Sequence, residues 1–542
     1  MRNGGPGSVI SPIAGWSTLW KKSRERSCSD SNIPCPAKSR SPARPSACRK
    51  SNPASAVFRS SVNTTNSSTA RKWASPAAIW PASGPPESYD DGPNPTLSLL
   101  LTSHLLLLTS YPLPPSSFLP DGAGLGGAMY RLPLHGIRVL DLTMAWAGPY
   151  ATRLLADMGA EVIKIESIDN WDVLRALTGQ PPDTERVWDK SPYFNQTNRN
   201  KYGCSLDLSK PRGRELFLCL AAQSDVVIEN FRAEVMDNLN LGYDMLCGVN
   251  DRLIMLSMPG HGKSGPERDF VTYGTNVEQL AGLCHLTGYE GGPPHKTGIS
   301  YGDPIAGISA AGAIALALWA RRRTGRGQYI ELAQRENLIS LIGEVVVAFS
   351  LNHREPSRRG NRHSSMAPHG CYLCSGEDEW ITIACENDAQ FAALCSALDQ
   401  PGLARDIRFA DVVSRYRNQD ELDEIVAAWT AGRTKEDAAE SLQSAGLSAM
   451  PVLSVPEVFA DQHLRYRGFF EPVSHPIAGG WEIDGPHWRM SESPAHIRLP
   501  APTFSEHNRY VFGELLGLSD DEIGQLDADG ITGSAPNRAV HD

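Results

Sequence analysis

The chain has 542 residues, 41% of them hydrophobic and 21% charged, which allows a sizeable core and is too long for one compact domain. A formal net charge of -10, from 51 basic and 61 acidic residues, argues against nucleic acid as a partner of the chain as a whole. The average conceals a split: residues 1–128 hold 13 Lys and Arg against 6 Asp and Glu, with 24 Ser and 17 Pro, whereas residues 129–542 hold 38 against 55, a net of -17.

Residues 1–128 read as a disordered leader or a misassigned N-terminal extension, with Met129 as the genuine start. The longest apolar stretch, residues 97–108, is broken by Thr102, Ser103 and His104 and is too short to cross a bilayer. No uninterrupted run of 18 apolar residues occurs, so neither a transmembrane helix nor a membrane partner is expected. Eleven cysteines, odd in number and scattered, do not form a disulfide framework and point to a reducing, cytoplasmic compartment.

Periodic order begins just after Met129. Gly136-Ile-Arg-Val-Leu-Asp-Leu142 reads as a buried strand, followed by Ala147-Gly-Pro149, helical spacing through Met158, Gly159 as a C-cap, and a second strand at 160–165. A similar unit recurs, with strands expected at 205–208, 225–230 and 252–258 and a helix at 212–223. Strands alternating with helices predict a parallel, Rossmann-like sheet, with a ligand crevice beyond the strands' carboxyl ends. The loops at 145–149, 229–232 and 259–263 follow strands and are expected to line it. No G-x-G-x-x-G follows the first strand, since Gly124-Leu-Gly-Gly127 precedes any strand, and nothing calls for a nicotinamide, flavin or other tightly bound cofactor.

Residues 304–323 form the clearest helix, with Pro304 at its first position, Arg321–Arg323 in its last turn and Gly325 as its stop. A strand at 329–332 follows, then a polar junction at 357–363. A smaller α/β unit comes next, with a strand at 380–384 and helices at 388–397, 419–431 and 435–445. Amphipathic helices at 506–516 and 520–526 close the chain.

The sharpest chemical candidate is Asp303 in Tyr301-Gly-Asp-Pro304. Asp before Pro is ordinary helix-start grammar, and a capping role accounts for it fully. The same place suits a carboxylate that attacks a thioester carbonyl to form an acyl anhydride. Cys371-x-x-Cys374 has no second pair at metal spacing, and no metal is expected. His261, His285 and His295 lie near Asp303 in sequence without a nucleophile elbow. Arg321–Arg323, Lys201 and Lys210 read first as solvated surface and second as phosphate contacts.

Several segments together resemble the family III CoA-transferases, which include formyl-CoA transferase, carnitine CoA-transferase and related acyl-CoA racemases. They are Gly136-Ile-Arg-Val-Leu-Asp-Leu-Thr143, Ala147-Gly-Pro149, Leu155-Ala-Asp-Met-Gly-Ala-Glu-Val-Ile-Lys-Ile-Glu166, Asn198-Arg-Asn-Lys201 with Leu206-Asp-Leu208, Asp225-Val-Val-Ile-Glu-Asn-Phe231, Gly302-Asp303, Arg323-Thr-Gly-Arg-Gly-Gln328 and Arg467-Gly468. The set keeps its order and spacing from about residue 132 to about 526. The resemblance implies a large Rossmann-like CoA-binding domain (129–348), a smaller α/β domain (349–448), a segment returning to the large domain (449–533) and a flexible tail (534–542). It also implies an interlocked homodimer.

The resemblance further implies that Asp303 is the catalytic residue, carrying an acyl anhydride and then an aspartyl-CoA thioester. CoA or acyl-CoA would be substrate rather than resident cofactor, met by Trp146, Ala147, Asn230, Phe231, Arg232 and Lys263. Departures are Ser167, where an arginine commonly follows Lys-Ile-Glu and Arg175 lies further along, and Asn238 in place of another arginine, with Arg232 as a substitute. Gly360-Asn-Arg-His-Ser-Ser-Met366 replaces a run of glycines. The racemases' histidine, about thirty residues before the aspartate, is Tyr273-Gly274 here. That favours CoA transfer over the alternative, α-methylacyl-CoA racemase or epimerase, because a tyrosine is a poor base at neutral pH. Tyr273-Gly-Thr-Asn-Val-Glu-Gln-Leu-Ala-Gly282 and Gly298-Ile-Ser-Tyr-Gly-Asp-Pro304 are similar to the branch acting on aromatic or dicarboxylic acids.

Overall fold

The computed structural model describes residues 132–181 and 183–537; the leader and the last residues of the tail lie outside it. Six strands form one all-parallel sheet: β1 (Arg138–Asp141), β2 (Glu161–Glu166), β3 (Lys201–Ser205), β4 (Val226–Glu229), β5 (Ile254–Ser257) and β6 (Tyr329–Glu331). Val139, Leu140, Val162, Ile163, Val227, Ile228 and Ile254–Leu256 are wholly buried, as expected where helices cover both faces of a sheet. The order β3-β2-β1-β4-β5-β6 reverses between β1 and β4, so the crevice opens at the carboxyl ends of those two strands. The Rossmann-like fold predicted from the sequence is the one found.

The third strand begins four residues earlier than the apolar pattern placed it. Its first residue, Lys201, is fully buried and donates to Asp141 Oδ2 at 3.0 Å, Asn198 Oδ1 at 2.8 Å and the Pro149 carbonyl at 3.0 Å. A lysine with three acceptors starts a buried strand without an orphaned charge, which a hydrophobicity pattern does not register.

On one face of the sheet α1 (Ala147–Asp157) packs against the long helix Gly302–Thr324. The contact is close because the long helix is built of small residues: a Cβ at Gly307 would lie 2.7 Å from the Ala147 carbonyl oxygen and 3.0 Å from Tyr150. This approach brings the start of the long helix beside the loop that follows β1. The long helix has an 18-residue window of mean hydropathy 1.5, long and apolar enough on average to cross a bilayer although no uninterrupted apolar run announced it. Its inner face (Ala306, Ala310, Ile314, Ala317) is core, whereas Ile308, Leu316 and Trp319 point outward.

On the other face α3 (Pro211–Ala221) shares a core with Val511, Phe512, Leu526 and Ile531 from the chain's end. The expected helix at 506–516 is instead a π-helix over Tyr510–Leu515. The residues before it are drawn onto the edge of β3: Gly203 N donates to His507 Nδ1 (3.1 Å) and Ser205 N to Asn508 Oδ1 (2.9 Å). These bonds cap backbone donors that an edge strand would otherwise leave exposed.

The smaller unit is an antiparallel sheet of β7 (His369–Leu373), β8 (Trp380–Ala384) and β9 (Ser448–Pro451), covered by helices at Asp388–Ala397, Gln419–Thr430 and Lys435–Ser444. A hairpin of β10 (Phe470–His475) and β11 (Gly479–Asp484) leads back to the large sheet, where Arg153 and Arg199 bind Asp484.

Candidate active site

The loop after β1 is clamped from three sides. Ala145 has φ of 63°, a left-handed turn that a non-glycine residue adopts at a cost and that surrounding bonds must hold. Ala145 N donates to Asp172 Oδ1 (3.0 Å), the buried Lys164 ammonium binds both Asp172 Oδ2 (2.9 Å) and the Thr143 carbonyl, and Asn230 brackets Met144. The Asn230 side chain accepts from Met144 N (2.8 Å) and donates to its carbonyl (2.7 Å). Asn230, expected as a direct CoA contact, therefore spends its amide on shaping the loop that carries Trp146 and Ala147.

Trp146 meets the ring of Tyr193 edge-on, with centroids 5.4 Å apart. Tyr193 belongs to α2 (Pro192–Thr197), and nothing in the sequence pattern singled it out. Burial and then the charge of Asp303 push its phenol well above the usual range, so Tyr193 stands within electrostatic reach of Asp303 as well as against Trp146.

Asp303 is not the N-cap that helix grammar predicted. The helix starts two residues earlier, Tyr301 is the N-cap, and Asp303 stands in the first turn with no capping bond. Its carboxylate is thus unoccupied by backbone donors of its own helix. Burial pushes its pKa up to about 6, opposed by a hydrogen bond from Ser300 and reinforced by the nearby charge of Glu278. Gly274, which opens the Gly274–Leu280 helix, is packed directly on the carboxylate: a Cβ there would lie 1.9 Å from Asp303 Oδ2. Tyr273 beside it is about half exposed. No side chain, and so no proton-transfer base, fits at position 274.

Phe231 packs at the margin of the large core, and its N–H donates to Glu229 Oε2 (2.7 Å). The Glu229 carboxyl is fully buried, which pushes its pKa up to about 7. Arg232 is exposed at the crevice mouth. Lys263 is not a free cation. Its ammonium lies 3.4 Å from Asp237 Oδ2, where a phosphate would have to compete, and its backbone N–H donates to Glu331 Oε1 (2.7 Å).

Several basic residues considered for phosphate are committed elsewhere. Lys201 serves Asp141, and burial pulls its pKa down to about 8. Lys210 donates to the Asp529 and Gly530 carbonyls, and Arg321 pairs with Asp225 at 2.7 Å. Arg175 does not replace the arginine missing at Ser167: it is wholly buried between Glu166 and Asp189 and stacks 3.6 Å above Phe194. His285 faces Glu355, while His261 is buried with neither ring nitrogen hydrogen-bonded. Among the described residues no cluster of His, Cys, Asp or Glu has the arrangement of a metal site.

A doubly wound parallel sheet, with a desolvated carboxylate at the start of a helix packed on it, is a frame that α/β enzymes use. Residues 134–508 match CoA-transferase family III. The chain is 33% identical over 405 residues to the succinyl-CoA–D-citramalate CoA-transferase of Chloroflexus aurantiacus, covering 73% of this chain and 97% of that one. It is 31% identical to the succinyl-CoA:glutarate CoA-transferase of Mus musculus, covering 74% and 90%. A crystal structure of a CaiB/BaiF family protein from Brucella suis superposes with a TM-score of 0.65 at 32% identity, covering 71% of this chain and all of that one. The chain belongs to CoA-transferase family III, as its motifs indicated. It is a CoA-transferase, and its substrates are CoA thioesters and carboxylic acids.

Proposed function

We propose that the protein moves CoA from an acyl-CoA donor to a free carboxylic acid through covalent intermediates on Asp303. The observation that carries this reading is a carboxylate free of capping duty, desolvated, and packed too tightly against Gly274 for water or a side chain to stand between them. A carboxylate short of hydration is a better nucleophile than one in water.

The Asp303 oxygen attacks the donor thioester carbonyl, the C–S bond breaks, and CoA leaves as thiolate. The thiolate attacks the Asp303 carbonyl of the resulting anhydride, releasing the donor as a free carboxylate and leaving an aspartyl-CoA thioester. The acceptor carboxylate repeats the two exchanges in the opposite sense and regenerates Asp303. Each step exchanges one acyl bond for another, and no net proton is taken up. Trp146, Ala147 and Phe231 line the path of the thioester, with Arg232 as the cation nearest solvent.

For the acids, the likeness of residues 273–304 to the aromatic and dicarboxylic branch is supported by relatives named for citramalate and glutarate, both dicarboxylic. We read the donor as succinyl-CoA and the acceptor as a second dicarboxylic acid. A mass-spectrometric matrix of acyl-CoA donors against acids tests this; exchange confined to monocarboxylic acids contradicts it.

The working form is read as a homodimer. The Gly343–Asn352 helix has Val346, Val347, Phe349 and Leu351 exposed and no buried residue, and Leu316 and Trp319 of the long helix are likewise apolar and exposed. An apolar helix with nothing beneath it calls for a covering surface, and a second copy supplies one by symmetry.

A further inference from the structure

Between the Leu283–Leu286 helix and the Gly302–Thr324 helix the chain has no helix or strand, and its local bonds include Asp303 N to the Ser300 carbonyl (3.3 Å). A longer-range anchor comes from Glu278. It lies in the Gly274–Leu280 helix, is wholly buried, and accepts from the Thr297 hydroxyl (2.8 Å) and from the N–H of Tyr301, the N-cap of the long helix. We propose that Glu278 is the positioning residue of Asp303: its carboxylate moors residues 297–301 to the preceding helix and so sets where the attacking oxygen stands. The inference rests on the reading of Asp303 as nucleophile.

A second property explains why the mooring group is charged. Among the described residues no Lys or Arg is ion-paired with Glu278, and an unpaired buried carboxylate is costly. A glutamine would keep both contacts without that cost, its one amide oxygen accepting from the Tyr301 N–H and its NH2 donating to the Thr297 hydroxyl oxygen. What the charge adds is its effect on Asp303, whose carboxylate it disfavours. Acylation removes the negative charge from Asp303 and transfers it to the departing thiolate, so a fixed negative charge beside Asp303 favours the step. No cation is paired with Glu278 to cancel this interaction among the described residues, and the groups facing it are few. They are Asp303 itself and the Cys284 thiol (4.0 Å), with Lys296 beyond the thiol, while the neighbouring Gln334–Ile339 helix contributes apolar Leu338. Tyr193 faces Asp303 from α2.

The test compares wild type, Glu278→Gln and Glu278→Ala in single-turnover acylation by succinyl-CoA, trapping Asp303 as its hydroxamate at pH 5 to 9, with CoA affinity measured by calorimetry. Glu278→Gln is expected to fold, to bind CoA within about twofold of wild type, to acylate about tenfold more slowly at pH 8, and to shift the acid limb of the profile to lower pH. Glu278→Ala, which loses the mooring as well, is expected to fall by about a hundredfold. Wild-type rates and an unmoved acid limb in both variants would overturn the positioning role. A wild-type enzyme that turns over without yielding a hydroxamate on Asp303 would instead overturn the nucleophile assignment beneath it.

Discussion

Gly274 and Asp303 are in contact so close that a methyl group on the glycine would overlap the carboxylate, at 1.9 Å from Oδ2 and 2.7 Å from Cγ. Gly274 does not have a positive φ, so its backbone tolerates alanine. The constraint is steric and falls on the Asp303 carboxylate and on Ser300, whose Cβ would lie 2.8 Å away. Gly274→Ala is therefore expected to lose at least about a hundredfold in kcat, since an ångström of misplacement costs about that much, while the melting temperature stays near wild type. Steady-state kinetics and a thermal melt decide it; an active Gly274→Ala enzyme contradicts the geometry.

The carboxyl of Asp303, raised to about 6, dictates a pH profile. The ionised form attacks, so the rate is expected to fall as pH drops through about 6, rather than near 4 as for a solvated aspartate. A profile of kcat/KM against pH with its acid limb near 4 would be inconsistent with a desolvated nucleophile.

The same shift has a consequence for stability. The native state holds the Asp303 proton up to about pH 6, whereas the unfolded chain releases it near 4. Between those values the native state binds more protons, and stability declines as pH rises. Above pH 6 the native protein carries the full penalty, on the order of 2–3 kcal/mol for a group this buried. Asp303→Asn is expected to be inactive and more stable than wild type at pH 7–8, with the difference vanishing near pH 4. Chemical denaturation at the two pH values measures it.

The proposed role of Asn230 in binding the thioester runs through the loop it brackets. Asn230→Ala removes two bonds to Met144 and is expected to raise KM for the acyl-CoA by about tenfold with a smaller change in kcat. A direct and exclusive role in CoA binding would leave the loop intact, so protection of Met144–Trp146 amides from hydrogen exchange, measured without CoA, separates the two. Protection should fall in the variant.

The exposed helix Gly343–Asn352 offers a test of assembly. Val347→Asp with Leu351→Asp places two charges on an apolar face and is expected to yield monomers by sedimentation velocity. Retained dimers would move the interface elsewhere.

Most of the architecture was legible in the sequence because buried parallel strands are near-continuous apolar runs, as in Val226–Ile228, and helices carry their stops, as at Gly325. The motif order around Asp303 and Asn230 likewise identified the family and the residue to test. What the sequence could not convey is how charged and small residues are used. Lys201 read as a surface cation and is buried, as is Arg175, because their acceptors Asp141, Glu166 and Asp189 come from other elements. Asp303 read as a cap and is not one. Gly274, Glu278 and Tyr193 had no local signature, since each matters only by standing against Asp303 after three helices have packed. Sequence alone determined most of the elements, since local periodicity encodes them, and its resemblance to the family singled out Asp303 as the carboxylate to test. Tertiary structure alone decided that carboxylate's hydration, placement and charged neighbour, because those depend on distances between segments that the chain does not specify locally.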